Sequence, residues 1–267
     1  MIIPMLAETT KGIPKNLNDF CVEQKFDGKR LLAHVVDREV TGYNRKGNPT
    51  IVPVSVAAAF DNKGFEGDWL FDGEIMADGQ YVIFDILTAK GNDLIPRPQG
   101  YRREFLEMVG EKIVNPNIII PPIRKGRFIE GFVNECMDRK AEGVIFKDVT
   151  APYRPGKRSR NFLKYKFTKA IDVVVMETNR KDKDQAVTVG LFRNSDLIEV
   201  GGCKLPEHVV GSIVVGDVLE IEYLYGTENY HVYQPVFLRL RDDKDPFECV
   251  LEQLIQTNKE VLTLENR

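Results

Sequence analysis

The sequence predicts an α+β chain in two parts: antiparallel sheets with flanking helices over residues 1–169, then a small five-stranded β-barrel of the OB type over residues 170–267. Three observations predict it. Strand and helix signals alternate as far as Thr168. Beyond it, five short strand-like segments separated by Gly- or Asn-containing breaks fill about 80 residues, the spacing of a small barrel. Composition changes at the same place, which puts the boundary at 168–170.

Phe20–Gln24 and Leu31–Val36 read as strands around a glycine-containing connection. Val40–Tyr43 follows, then a turn at Arg45-Lys46-Gly47 and a short helix at Val54–Phe60. Trp69–Met76 and Tyr81–Leu87 are β-rich and joined by Ala77-Asp78-Gly79, a hairpin signal. Tyr101–Ile113 and Arg127–Lys140 carry helical periodicity, and Val144–Phe146 and Phe162–Phe167 return to strand. The barrel strands are Ile171–Met176, Val187–Phe192, Leu197–Val200, Val218–Tyr225 and Val236–Leu240, and Pro246–Asn258 reads as a closing amphipathic helix.

Hydrophobic residues at 43% and charged residues at 29% place the chain in the globular class. No apolar run approaches the roughly 18–20 residues that cross a bilayer. Met1–Phe20 lacks a basic stretch followed by an apolar one, so the expectation is a cytoplasmic protein, not secreted and without a membrane partner. Cys21, Cys136, Cys203 and Cys249 are scattered and form no C-x-x-C pair, which argues against a zinc site or a disulfide framework. A net charge of -3 argues against gripping nucleic acid by overall charge, while leaving room for a local basic surface. Arg154–Lys169 holds seven basic residues and no acidic one; alone, such a run is more often a solvated loop. His34, His208 and His231 are isolated and carry no catalytic assignment.

The sharpest feature is Glu23-Gln24-Lys25-Phe26-Asp27-Gly28-Lys29-Arg30. Strand alternation puts Glu23 and Lys25 on one face, and Gly28 permits a tight turn close to a ligand. A lysine there is suited to attack phosphorus once neighbouring cations or partial burial lower its pKa. On these residues alone, an exposed turn with ordinary charges stands as the alternative.

K-x-D-G-x-R resembles the first motif of the covalent nucleotidyltransferases: DNA ligases, RNA ligases and mRNA capping enzymes. Asn44-Arg45-Lys46-Gly47, Asp72-Gly73-Glu74, Phe84-Asp85, Glu142-Gly143-Val144-Ile145-Phe146-Lys147, Lys164-Tyr165-Lys166 and Arg239-Leu240-Arg241-Asp242-Asp243-Lys244 resemble the later elements, in order. The R-x-D-K ending is similar to that of ATP-dependent DNA ligases. The resemblance spans about residues 4 to 244 and implies a nucleotidyltransferase (adenylation) domain followed by an OB-fold domain.

The resemblance implies that Lys25 attacks the α-phosphate of ATP to form lysyl-AMP. AMP then passes to the 5′-phosphate of nicked duplex DNA and is displaced by the 3′-hydroxyl. It implies that Glu23 reads adenine, Glu74 binds ribose, Phe84 stacks on the base, and Lys164 and Lys166 neutralise phosphate. Arg30, Arg45 and Arg158 are the implied contacts to the nick, and Arg241 and Lys244 to pyrophosphate. Glu142, with Glu74, is the implied holder of Mg²⁺, with Mn²⁺ as the alternative; Asp27 is either structural or close to the metal. A three-residue loop at Ala77–Gly79 is expected, since it puts Glu74 and Phe84 on one face.

About 20 residues precede the first motif, so the expectation is no N-terminal helical DNA-binding domain. The two core domains then hold DNA, with Asn179–Gln185 as an alternative contact and no long insertion to serve as a clamp. The family expectation is a monomer, in a bacterial cell or a virus-infected host cell. Competing readings are an RNA ligase or capping guanylyltransferase, and a non-catalytic nucleic-acid binder of the OB type. Arg241–Lys244 argues against the former, and the full set of reactive residues against the latter.

Overall fold

The computed structural model describes residues 2–254 apart from 112, 114 and 179–184. The chain divides into two compact units, Met1–Lys166 and Phe167–Arg267. In the first unit the strands are β1 (Leu6–Thr9), β2 (Phe20–Lys25), β3 (Lys29–Val36), β4 (Glu39–Tyr43), β5 (Pro49–Thr50), β6 (Asp68–Ile75), β7 (Tyr81–Ala89), β8 (Asn92–Asp93), β9 (Ile118–Ile119), β10 (Ile123–Lys125), β11 (Gly143–Asp148) and β12 (Arg158–Lys166). The helices are α1 (Val54–Ala59), α2 (Gln99–Gly110) and α3 (Ile129–Asp138).

Two sheets result. One has the order β1-β12-β11-β2-β10; the other runs β5-β4-β3-β6-β7-β8, with β9 beside β7. Parity along β3 sorts the second sheet's side chains. Leu31, Ala33 and Val35 pack with Phe71, Tyr81 and Ile83 against Val56, Phe60, Leu106 and Val109 of the helical layer. Leu32 faces the other way and meets Leu70, Leu87, Met5, Tyr153 and Phe162. Arg30 pairs across the strands with Glu74, and Leu32 with Asp72, so these polar groups share the face that looks toward the first sheet.

The β6–β7 hairpin closes through Ala77-Asp78-Gly79. Ile75 pairs with Tyr81, the Met76 N–H donates to the Gln80 carbonyl, and Gly79 takes φ +88°. The loop therefore has the expected three residues, with glycine at its left-handed position. A bulge makes Phe84 the extra residue opposite Asp72–Gly73.

The second unit holds β13 (Lys169–Thr178), β14 (Ala186–Arg193), β15 (Asp196–Lys204), β16 (Val218–Tyr223) and β17 (Val236–Leu240). They form one antiparallel sheet in the order β15-β14-β13-β16-β17. Its core includes Ile171, Val173, Val175, Val189, Leu191, Leu219 and Ile221.

The structure corrects the expected closing helix. Pro246–Glu248 and Leu251–Gln253 are 3-10 turns separated by Cys249 and Val250, and the rest of that segment lies outside the described residues. Cys249 accepts from the Phe192 N–H, and Val250 bridges to Phe192 in parallel. Cys249, Leu251 and Leu254 are buried, so the apolar positions that look helical in sequence serve a segment of 3-10 turns that meets β14 at Phe192. Residues 179–184 of the suggested loop contact also lie outside the described residues. β1, β5, β8, β9 and β10 are four residues long at most, too short for alternation to reveal them in sequence. No helix among the described residues is long and apolar enough to cross a membrane.

Candidate active site

A cavity of about 730 Å³ in the first unit is lined from both sheets. Its chemistry follows from the register of β2, β11 and β12. Three cross-strand rows run Lys25–Gly143–Lys166, Glu23–Ile145–Lys164 and Cys21–Lys147–Phe162. Members of a row share a face, so parity alone gathers four lysines and Glu23 onto one surface.

In the first row, Lys25 and Lys166 reach from either side to Glu142, the residue before β11. Lys25 Nζ donates to Glu142 Oε2, and Lys166 Nζ lies 3.1 Å from Oε1. The Glu142 side chain is buried, while the two lysines keep some exposure. Gly143 between them has no room for a side chain: a Cβ would stand 2.2 Å from the Tyr165 carbonyl oxygen.

Lys164, in the second row, has no anionic partner among the described residues. Partial burial, then the charges of Arg158, Lys166, Lys25 and Arg45, push its pKa down. Five cations thus crowd this wall, and Glu142 sits between two of them, Lys25 and Lys166.

In the third row, Lys147 Nζ lies 2.6 Å from Glu23 Oε1, both side chains buried, and donates to the Phe84 carbonyl at 3.0 Å. It also sits 4.8 Å from the centre of the Phe84 ring. Glu23 Oε2 has no partner among the described residues. Burial pushes the Glu23 carboxyl up, with Lys147 acting against it. Lys147 is not among the site residues expected from sequence; its place at the end of the E-G-V-I-F-K stretch was the available signal.

The opposite wall comes from β3, β6 and β7. Arg30 donates twice to Asp72, at 2.6 Å each, and lies 4.8 Å over the Phe84 ring. Burial opposes the guanidinium's charge, but Asp72 outweighs it and raises the Arg30 pKa. Glu74 accepts from the Gly28 N–H at 3.2 Å, and burial lifts its carboxyl against the pull of Lys25 and Arg30. Arg45 and Lys46 are exposed and line the cavity; Arg158, also exposed, donates to the Ala7 carbonyl at 2.8 Å. Asp27 is half-buried in the β2–β3 turn and is not among the cavity's lining residues.

The fold thus brings Glu23, Lys25, Arg30, Arg45, Glu74, Phe84, Arg158 and Lys164 around one cavity, with Glu142 and Lys166 adjoining Lys25. Arg241 and Lys244 belong to the second unit. Both pair with Asp172, Arg241 Nη1 at 3.1 Å and Lys244 Nζ at 2.9 Å, and Arg241 also pairs with Asp243. Among the described residues no three His, Cys, Asp or Glu side chains cluster as a ready-made metal site.

The ordered elements around this cavity agree with a family description: the ATP dependent DNA ligase domain matches residues 4–80 and 77–166. This chain belongs to the ATP-dependent DNA ligase family. Its curated relatives include a DNA ligase of Methanocorpusculum labreanum, 26% identical over 295 residues, covering 87% of this chain and 54% of that protein. The chain spans about half the length of such relatives. Among solved structures, one from a structure–function analysis of Lig E DNA ligases matches with a TM-score of 0.68 and 18% identity, covering 89% of this chain and 98% of that one. The ligase domain of M. tuberculosis LigD matches with a TM-score of 0.57 and 19% identity, covering 96% and 98%. The fold of this family member is accordingly that of the ligase domains, mostly sheet with few helices.

Proposed function

We propose that the chain is an ATP-dependent DNA ligase that seals 5′-phosphate/3′-hydroxyl nicks in duplex DNA, with Lys25 as the nucleophile. The observation that carries this reading is the polarity of the cavity. Its base-reading end holds Glu23, whose free buried oxygen is an acceptor suited to the adenine amino group, beside the Phe84 ring. Its phosphate end holds Lys25 and Lys164, with Lys166 adjoining Lys25 through Glu142. Glu74 lies within reach of ribose on the opposite wall.

Lys25 attacks the α-phosphorus and pyrophosphate leaves. Glu142, already bonded to Lys25, is placed to take the proton that the amine must lose. Lys166 and Lys164 offset the charge that gathers on phosphate. AMP moves from Lys25 to the nick's 5′-phosphate, with Arg30, Arg45 and Arg158 as its contacts. The 3′-hydroxyl then closes the strand and releases AMP. Glu142 and Glu74, carboxylates whose charges act on each other, would hold a Mg²⁺ or Mn²⁺, which would offset charge on the transferring phosphoryl group.

The strand order of the second unit supports an OB-type barrel; in this reading it extends over residues 170–267, and its Arg241 and Lys244 contact pyrophosphate. A cytoplasmic monomer, in a bacterial or a virus-infected host cell, completes the reading. The test is incubation with labelled ATP, or separately GTP, and Mg²⁺, followed by denaturation. Covalent label from ATP that is lost in Lys25→Ala is the expected result; no label from ATP overturns the reading. Nicked DNA, DNA–RNA and RNA duplexes compared for sealing then fix the polymer, and preference for RNA on both sides of the nick moves the reading to RNA ligase.

A further inference from the structure

We infer that Tyr153 is a positioning residue for Arg30, acting through Asp72. The inference rests on the reading above, in which Arg30 meets the 5′-phosphate of the nick. Asp72 is fully buried and accepts both Arg30 bonds in the two-point pairing of a guanidinium with a carboxylate. Among the described residues one further side-chain donor reaches it: the Tyr153 hydroxyl, 2.6 Å from Oδ2. The direction of that bond is fixed, because the Met5 N–H donates to the same hydroxyl at 2.8 Å, leaving its own proton for Asp72. Arg30 in turn donates to the Met5 carbonyl at 3.3 Å. Met5, Tyr153, Asp72 and Arg30 therefore close a ring of hydrogen bonds drawn from four separate stretches of chain.

Burial, then the Asp72 charge, push the Tyr153 phenol well above its ordinary value, so it stays a donor at any working pH. Tyr153 is itself buried and not among the residues lining the cavity, so it acts on the chemistry only through its neighbours. A cation that must meet a phosphate at a set distance gains from being held there before the phosphate arrives.

The test uses the full chain and two assays: self-labelling with ATP, and single-turnover sealing of a nick whose 5′ end already carries AMP. Tyr153→Phe keeps the ring and removes the donor. Tyr81→Phe is the matched control, since its buried hydroxyl donates to the Leu31 carbonyl and makes no bond to Asp72. Tyr153→Phe is expected to slow sealing about tenfold, the effect of one hydrogen bond, with Tyr81→Phe within about twofold of wild type. In an Arg30→Ala background, Tyr153→Phe is expected to add no further loss. Tyr153→His, which keeps a ring and a donor toward Asp72, serves if Tyr153→Phe folds poorly: it is expected to seal within about threefold of wild type, and a tenfold loss from it overturns the inference. A Tyr153→Phe protein that seals as fast as wild type, or one that loses a further tenfold on top of Arg30→Ala, overturns the inference alone. A wild-type protein that neither labels nor seals overturns the reading of the site and the inference with it.

Discussion

Lys25 and Lys166 stand across Gly143 from each other, and both donate to the single carboxylate of Glu142. Two cations that would repel are thereby held at one end of the cavity by an anion buried beneath them. Replacing Glu142 with Gln keeps its shape and removes both the charge and the proton acceptor. Self-labelling with ATP is expected to slow by on the order of a hundredfold. Rates measured across pH 6–9 check this, and a Glu142→Gln rate equal to wild type removes Glu142 from the chemistry.

Gly143→Ala tests the crowding at the centre of the same row. The added methyl meets the Tyr165 carbonyl of β12, backbone that cannot move without breaking the pairing. An unfolding cost of about 2–4 kcal/mol is expected from such overpacking. Gly79→Ala meets no atom within 4 Å and suffers only from its φ of +88°, so it costs about 1 kcal/mol. Urea unfolding of the two variants ranks them, and the reverse order refutes the steric argument.

Lys164 is expected to trade stability for function. Burial and neighbouring cations hold its folded pKa below the ordinary lysine value, so the folded state carries a penalty whenever Lys164 is charged. That penalty is present at neutral pH and disappears as pH rises above the unfolded lysine value near 10.5. Lys164→Gln should thus raise the unfolding midpoint at pH 7, lose that advantage at high pH, and slow self-labelling by on the order of tenfold or more. Thermal unfolding at pH 7 and pH 11 provides the comparison; a lower midpoint at pH 7 contradicts the sign.

Glu23 is expected to set the choice of base. As the carboxylate paired with Lys147, it offers its free oxygen as an acceptor, which suits an amino group and not the carbonyl of guanine. Glu23→Gln supplies a donor, and the ratio of ATP to GTP labelling should fall by about tenfold or more. An unchanged ratio would show that base choice is made elsewhere in the cavity.

Arg241 and Lys244 both pair with Asp172, and a step that uses them must exchange those contacts for phosphate. Arg241→Ala is expected to slow labelling by ATP by on the order of tenfold to a hundredfold, while a nick already carrying AMP is sealed at the wild-type rate. Equal loss in both assays argues against a role confined to pyrophosphate.

Much of the fold was legible in sequence because its signals are local. Glu23 and Lys25 share a face by strand parity, the Ala77–Gly79 loop sets the register that brings Glu74 and Phe84 to one cavity, and five alternating segments mark the second unit. The closing helix failed because its apolar spacing fits a helix, while the Phe192 edge of β14 offered its backbone a partner no local pattern announces.

The sequence by itself determined which residue types stand at which spacing, and so the Lys25 turn and the order of the elements around it. Tertiary structure alone decided who holds whom. Glu142 lies 117 residues from Lys25, Asp72 lies 42 from Arg30, and Tyr153 lies 81 from Asp72. Lys147 becomes the buried partner of Glu23 only because β11 pairs antiparallel with β2 in one register. A one-residue slip of β11 against β2 would turn Lys147 to the opposite face, so this charge pair is fixed by register between distant strands, which spacing along the chain does not encode.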